Sequence, residues 1–263
     1  MSGNVIALTA AAAAAVFAMP AFAADTLAPR APLAVPEPPM VTGHVEMGIG
    51  VLSGFDGGST SGLFTGAGRA NKRLWHGWNM ELEAGGAGVF GSPSTATSVF
   101  SGYGHFWYMP TAGHAFGAFG GGAFVSGATV TTLGVEGKAH LGPLSIGATV
   151  ADNFATGGGS FWVTGLSAAS YLNPNTRLGI GATFIGGNSI GSSSNLTIVT
   201  ADAEHRFVDP ISMWGSLSYL AGGSSNGWAG LIGLRIFADP NNNTLRAHDG
   251  VVPWHYDNPF RAY

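Results

Sequence analysis

Apolar and polar side chains alternate along residues 133–150. A period of two places successive side chains on opposite faces of a β-strand, and the Gly142-Pro143 pair between the two arms is a turn signal. The stretch therefore predicts a β-hairpin with one apolar and one polar face. The apolar positions are Leu133, Val135, Ala139 and Leu141 in the first arm, and Leu144, Ile146, Ala148 and Val150 in the second.

The same unit of alternating residues followed by a turn recurs along the chain. An even number of such segments returns both chain ends to the same side of a closed barrel. We predict an all-β, antiparallel, up-and-down β-barrel of about twelve strands, because alternating segments of about ten residues separated by turns are typical of transmembrane β-barrels. The predicted segments lie near residues 41–51, 62–72, 76–88, 97–109, 114–125, 130–141, 144–153, 160–172, 176–186, 195–207, 211–221 and 227–237.

The connections between these segments alternate in length. Every other connection is short and often contains proline, as at Gly142-Pro143 and Asp209-Pro210. The connections between them are longer and rich in Gly and Ser, as at residues 187–194. Short turns at one end and longer loops at the other are characteristic of outer-membrane barrels.

Aromatic residues concentrate near the ends of the segments. Trp162 and Trp228 open segments beside the long loops. Two interfacial girdles would have this arrangement, and the alternative is the ordinary preference of aromatics for strands. The aromatic residues beside the short turns are Trp75, Trp78, Trp107, Tyr108, Tyr171 and Phe207.

Composition decides what covers the apolar faces. Charged residues make up 9% of the chain, against about 25% in ordinary soluble domains. A soluble β-sandwich needs a charged surface to stay dissolved, so we expect the apolar faces to meet lipid in a closed transmembrane β-barrel. The net charge of -4 gives no reason to expect nucleic acid. With no cysteine in the sequence, disulfides and thiolate metal sites are excluded.

The N-terminal residues 1–23 are predicted to be a signal peptide. The apolar run Val5–Phe22 leads into the tripeptide Ala21-Phe22-Ala23, which fits the small-x-small cleavage rule, although no Lys or Arg precedes the run. A membrane helix is the alternative, which Pro20 and the cleavage site oppose. Residues 24–40 are rich in proline and predict an extended leader, either disordered or acting as a tether or lumen plug.

From residue 41 to residue 237 the chain resembles a small outer-membrane β-barrel of Gram-negative bacteria, in the broad porin-like class. The final segment, Trp228–Phe237, is amphipathic and closes with an aromatic residue, as in such barrels. The resemblance implies a location in the bacterial outer membrane, at the cell surface, after signal-peptide export. It also implies contact with outer-membrane lipid and recognition of Trp228–Phe237 by the β-barrel assembly machinery.

The chain departs from this class by continuing past residue 237. Residues 238–263 are predicted to be a periplasmic C-terminal tail, because Asp239-Pro240 and Pro253 oppose a further strand. Two alternatives remain for the tail. It is disordered, or it folds into the lumen with Trp254, Tyr256 and Phe260 as apolar anchors.

Most charged side chains fall on the polar face of their segments. A charge on the lipid face costs about 2–4 kcal/mol at mid-depth, so these residues are expected to face the lumen. The predicted lumen-lining charge network is His44, Glu46, Arg69, Glu81, Glu83, Glu136, Lys138, Arg177, Asp202, Glu204, Arg206 and Arg235. The expected partners are Arg69 with Glu46, Asn79 or Glu81, Arg177 with Glu204 or Arg206, and Arg235 with His44 or Glu46 if the last strand closes on the first.

The network can stiffen the barrel or line a pore that filters solutes by charge. Inward-facing glycines predict unfilled space and therefore a narrow water path. We expect a narrow porin-like channel for passive diffusion of small hydrophilic solutes, and a structural or adhesive barrel without an open pore is the alternative. Whether barrels associate into a homo-oligomer stays open. The glycines are Gly48, Gly50, Gly134, Gly147, Gly179 and Gly181.

Catalysis is the less favoured interpretation, and we expect no enzyme activity. A lipid-modifying hydrolase needs a nucleophile, a histidine and an acid, and no Gly-x-Ser-x-Gly motif is present. The histidines are scattered along the chain, so neither a metal site nor a cofactor is expected. Among the loops, Phe55 and Asp56 are the candidate surface contacts. The candidate catalytic pairs are His44 with Glu46, His105 with Ser101, and His205 with Glu204.

Overall fold

The alternating segments form one antiparallel ladder. The computed structural model describes residues 41–55, 59–91, 98–111, 113–125, 127–189, 192–193, 195–222, 225–238, 244–246 and 248. The predicted signal peptide 1–23 and leader 24–40 lie outside the described residues.

Thirteen strands are present in the described part of the chain. Twelve are long and follow the predicted segments closely, whereas the two-residue β10 pairs with the end of β9. The strands are β1 Val41–Phe55, β2 Ser59–Arg73, β3 Trp78–Phe90, β4 Ser98–Thr111, β5 His114–Val125, β6 Ala128–Leu141, β7 Leu144–Ala155, β8 Ser160–Asn173, β9 Thr176–Ser189, β10 Ser192–Ser193, β11 Leu196–Val208, β12 Ile211–Gly222 and β13 Ser225–Phe237.

The ladder closes on itself. Each long strand pairs antiparallel with the next, β9 pairs with β11, and β13 pairs with β1. The register of the closing pair runs from His44 opposite Phe237 to Ser53 opposite Trp228. Closure removes both sheet edges, which would otherwise present unpaired backbone groups. The predicted fold, a closed twelve-stranded antiparallel barrel, is confirmed.

The outer face of the barrel is apolar along the length of the strands. In the β6–β7 hairpin, Leu141 lies opposite Leu144 across the predicted turn. Leu133 and Val135 on the predicted apolar face are 58% and 59% exposed, whereas Glu136 between its apolar neighbours is buried inside. Within the described residues, no helix is both long and apolar enough to span a membrane.

Aromatic residues ring the outer face at the long-loop end. Those exposed there include Phe90, Phe100, Phe124, Phe154, Trp162, Tyr219 and Trp228. At the other end, Trp75 and Phe207 are exposed, and Trp78 stacks on Phe106 with ring centroids 4.6 Å apart. Trp107 and Tyr171, predicted for the girdle, instead point inward and are buried, because their parity matches the polar face of β4 and β8.

The inward-facing glycines receive large side chains from neighbouring strands. A Cβ added at Gly48 would lie 2.8 Å from the ring of Trp214, and one added at Gly134 would overlap the ring of Phe119. A Cβ at Gly147 would lie 2.7 Å from Ser167 Oγ. The prediction that these glycines leave unfilled space is wrong at these positions, because neighbouring side chains occupy the volume that a Cβ would fill.

Candidate functional site

The twelve residues of the predicted network lie on the inner face of the barrel, and we call them the charge layer. They occupy the half of each strand next to the short turns, with Asp202 at the midpoint of β11. Nine of them are buried, the most exposed being Arg69 at 8%, and Glu46, Glu83 and Asp202 are half-buried. Buried charges are tolerated only when paired and hydrogen-bonded, so the contacts within the layer determine what it can do.

The largest cluster connects β9, β11, β13 and β1. Arg177 donates to Glu204 Oε2 at 2.9 Å, and its Nη2 lies 3.6 Å from Asp202. Arg235 Nη1 donates to the same Glu204 oxygen at 2.7 Å. Arg235 Nε also donates to Glu46 Oε2 at 2.8 Å across the closing β13–β1 pair. The predicted Arg177–Glu204 and Arg235–Glu46 contacts are therefore present.

Arg206 lies at the short-turn edge of this cluster. Its guanidinium forms an ion pair with Asp209 in the β11–β12 turn. The guanidinium carbon also lies 4.5 Å from the ring centroid of Phe237, within the range of a cation–π contact. Arg206 thus connects the charge layer to the final aromatic residue of β13.

A second cluster lies across β2 and β3. Arg69 Nε lies 2.9 Å from Glu83 and 4.0 Å from Glu81. In the register, Arg69 stands opposite Glu83 on one side and His44 on the other, and Glu46 stands opposite Ala67. The predicted proximity of Arg69 to Glu81 is therefore present. Its directly opposite partners differ from the predicted ones by two residues, His44 instead of Glu46 and Glu83 instead of Glu81, because the hairpin turns are not centred where the sequence alone suggests.

The third cluster lies on β4 and β6. His105 Nδ1 lies 2.6 Å from Glu136 Oε1, and both side chains are buried. The His105 ring stacks parallel to that of Phe119, 5.3 Å away. Lys138, one inward position from Glu136, is also buried. The parity of β4 predicts this inward position of His105, although His105 is not one of the twelve residues of the predicted network.

Three potential metal ligands come together in the second and third clusters. One ligand atom each of Glu81, Glu83 and His105 lie within 4.8 Å of one another. Arg69 already places a positive charge 2.9 Å from Glu83, and His105 contacts Glu136 at 2.6 Å. Glu83 and His105 therefore already contact other side chains of the packed interior.

The candidate histidines make separate contacts within the described part of the chain. His140 Nδ1 lies 2.7 Å from Ser145 Oγ, while the carboxylate contact of 2.6 Å belongs to a different histidine, His105. His205 contacts the hydroxyl of Thr176 at 2.8 Å on the outer face. His44 and Glu46 are engaged with His248 and Arg235 respectively.

The half of the interior near the long loops carries a set of buried apolar side chains, which the alternating pattern did not predict, beside buried hydroxyl pairs such as Thr200 with Ser218. Ile198, Leu220 and Ala229 form a buried cluster with Leu52, Ile185 and Leu196 packed against it. Further buried inward-facing residues at this level are Leu63, Val99, Ala123 and Leu231. We call these ten residues the apolar layer. The sequence feature that could have identified this layer is parity, because these apolar residues occupy the inward-facing positions of their strands.

The described tail residues lie against the short-turn end of the barrel. Leu245 is 0% exposed and packs with Tyr171 and Phe237. His248 is 1% exposed, with Nε2 3.4 Å from His44 Nδ1. The predicted anchors Trp254, Tyr256 and Phe260 lie outside the described residues.

Comparisons with known proteins support the fold. No protein-family model and no curated protein matches the chain. Among solved structures, the NanC porin is 10% identical and covers 73% of this chain and 98% of its own, with a TM-score of 0.57. The KdgM porin is 8% identical with the same coverages and a TM-score of 0.52. An outer membrane channel from Pseudomonas putida F1 is 13% identical, covers 76% of this chain and 96% of its own, and has a TM-score of 0.58.

Identities this low show a shared fold. The chain has the closed β-barrel fold of these porins and of this outer-membrane channel. The resemblance to a porin-like outer-membrane barrel, inferred from the alternating pattern and the loop asymmetry, is therefore confirmed for the fold.

Proposed function

We propose that the protein is a narrow porin-like channel of the bacterial outer membrane that admits small hydrophilic solutes by passive diffusion. The observation that carries the proposal is ring closure: β13 pairs with β1, so the charge layer is enclosed while the apolar face is outside. Such a ring is one of the few structures that satisfies every backbone hydrogen bond within lipid. The short turns, the start of β1 and the end of β13 would then lie on the periplasmic side.

The path through such a channel is narrow, because its wall is made of closely packed side chains. Trp214 and Phe119 fill the positions beside Gly48 and Gly134, and the ion pairs of Arg177 and Arg235 cross between strands. A solute passing this level meets guanidinium and carboxylate groups at short range. Selection by charge and size is what such rings of charged side chains provide.

A barrel without an open pore is the second candidate function, and the burial of the charge layer favours it. Glu81 is 0% exposed and Glu204 is 2% exposed, as expected for side chains that fill a small barrel. In that case the ion pairs serve the stability of a structural or adhesive surface protein. An enzyme receives no comparable support from the geometry.

Planar-bilayer recording of the refolded protein separates the two candidates. We expect discrete conductance steps from preparations that show the heat-dependent gel migration of a folded barrel. A folded barrel that produces no steps in the bilayer would contradict the channel and favour the closed structural barrel.

Replacing Arg69, Arg177 and Arg235 together by Gln is expected to shift ion preference toward cations. The change removes three positive charges and leaves Glu46, Glu83 and Glu204 in the path. The measurement is the reversal potential across a salt gradient. A matched control neutralises Lys72 and Arg73, which are exposed at the end of β2. An unchanged reversal potential in a folded, conducting triple variant would assign the three arginines to scaffolding alone.

A further inference from the structure

The tail residues after β13 make specific contacts at the short-turn mouth, the opening framed by the β6–β7, β8–β9 and β11–β12 turns. Leu245 is fully buried between Tyr171 of β8 and Phe237 of β13. Both partners face the interior next to the short turns. Leu245 therefore fills the space between β8 and β13 at this end of the barrel.

His248 continues the contact toward β1. Its ring centroid lies 4.6 Å from that of Phe237 and 5.5 Å from that of His44. The backbone N–H of His248 donates to Thr244 at 3.1 Å, which is one helical turn. The turn is what presents Leu245 and His248 to the interior together.

Arg246 fixes the opposite side of the same turn. Its backbone N–H donates to the carbonyl of Pro174 in the β8–β9 turn at 2.9 Å. Its guanidinium donates to the carbonyl of Gly142 in the β6–β7 turn at 3.0 Å. The strand order places the β6–β7 turn across the ring from β1. The segment therefore contacts β1 at one end of its span and the far rim at the other.

We propose that the described tail residues, 244–246 and 248, form a plug that closes the short-turn mouth and regulates access to the charge layer. Its gating role rests on the proposed channel, whereas its seating in the mouth does not. The plug is held by one buried leucine, one histidine ring and a few hydrogen bonds rather than by a strand ladder. Local elements with so few buried contacts open at lower free energy than the strands they cover.

The seating is tested by thiol labelling, because the chain contains no cysteine. Thr42→Cys places one thiol on the inner face of β1, where Thr42 is 1% exposed and two residues from His44. The probe is a charged, membrane-impermeant maleimide added to the refolded protein. Labelling is expected to be about tenfold faster in a chain ending at Ala238 than in the full chain. It is also expected to be faster in Leu245→Asp than in the full chain, because both changes increase the population in which the mouth is open.

Two controls separate plug release from a loosened barrel. Ser61→Cys, buried on β2 near the long loops, should label at the same rate with and without the tail. Leu245→Met, which keeps the volume and the apolar contact, should label as slowly as the full chain. An unchanged Thr42→Cys rate after truncation would overturn the plug.

Conductance of the same variants tests regulation. The truncated chain and Leu245→Asp are expected to conduct at least about threefold more on average than the full chain, with Leu245→Met unchanged. If labelling accelerates and neither chain conducts, the plug stands and the channel fails. If the full chain conducts and truncation changes neither labelling nor conductance, the channel stands and the plug is overturned.

Discussion

Arg235 shows how one side chain can connect separate strands of the ring. It is 4% exposed and reaches Glu46 on β1 and Glu204 on β11, with β12 between β11 and its own strand. Ser212 of β12 donates to the other oxygen of Glu204 at 2.5 Å. Four adjacent strands are thereby linked through one guanidinium and two carboxylates.

Replacing Arg235 by Met is expected to lower the free energy of unfolding by about 3–5 kcal/mol, because it removes a counter-charge from Glu46 and one of the two guanidinium groups that contact buried Glu204. The measurement is urea unfolding of the refolded barrel followed by tryptophan fluorescence. Arg73→Met, at an exposed position on β2, is the matched control and should change stability little. Adding Glu204→Gln to Arg235→Met should restore part of the loss, and equal effects of the Arg235 and Arg73 variants would contradict the argument.

Pairs of strands fit together through aromatic residues opposite glycines. Trp214 lies opposite Gly233, Phe119 opposite Gly134, and Tyr103 opposite Gly121 in the register. An aromatic ring lying over a facing glycine packs in the space left by the missing side chain, a recurring device in β-sheets. The high glycine content of this chain is therefore explained by packing between strands, at least at these positions.

Gly134→Ala is expected to destabilise the barrel by about 1–3 kcal/mol, because the added methyl overlaps the Phe119 ring and must displace it. Gly88→Ala on β3 is the matched control, since a Cβ there meets nothing within 4 Å. Urea midpoints and the temperature of the gel-migration shift measure both variants. If the two substitutions have the same effect, the fit between Phe119 and Gly134 does not contribute to stability.

At the scale of the whole molecule, the barrel combines three surfaces: an apolar outside, a charge layer near the short turns and an apolar layer near the long loops. We expect lipid to cover the outer surface, because large contiguous apolar patches mark sites of protein or membrane contact. The two interior layers differ in what they offer a solute. Charged groups lie at one level, and Ile198 and Leu220 lie at the other.

Ile232→Arg tests whether lipid covers the outside. Ile232 is 63% exposed near the middle of β13, and an arginine there should cost about 2–4 kcal/mol in a bilayer. Val41→Arg, at the exposed start of β1, is the control and should cost about 0–1 kcal/mol because it lies near the interface. The measurement is reversible unfolding from liposomes. Equal, negligible costs would show that water covers both positions.

The sequence by itself determined the twelve long strands and the face that most of their residues occupy. Local alternation sufficed for this, because a one-residue shift would turn every apolar side chain of a strand inward. Leu133, Val135 and Glu136 occupy their predicted faces for that reason. The contact between Arg235 and Glu46 could also be predicted from the sequence, because an even number of antiparallel strands lets the last strand pair with the first.

Only the tertiary structure decided what fills the interior. The register of each hairpin placed Arg69 opposite Glu83, and the reach of Arg235 past β12 brought it to the Glu204 carboxylate that Arg177 also contacts. Neither these contacts nor the seating of Leu245 in the mouth has a periodic signature. They depend on the curvature of the closed ring, which brings residues from separate segments together. The local sequence pattern does not encode how far apart those residues lie in the folded ring.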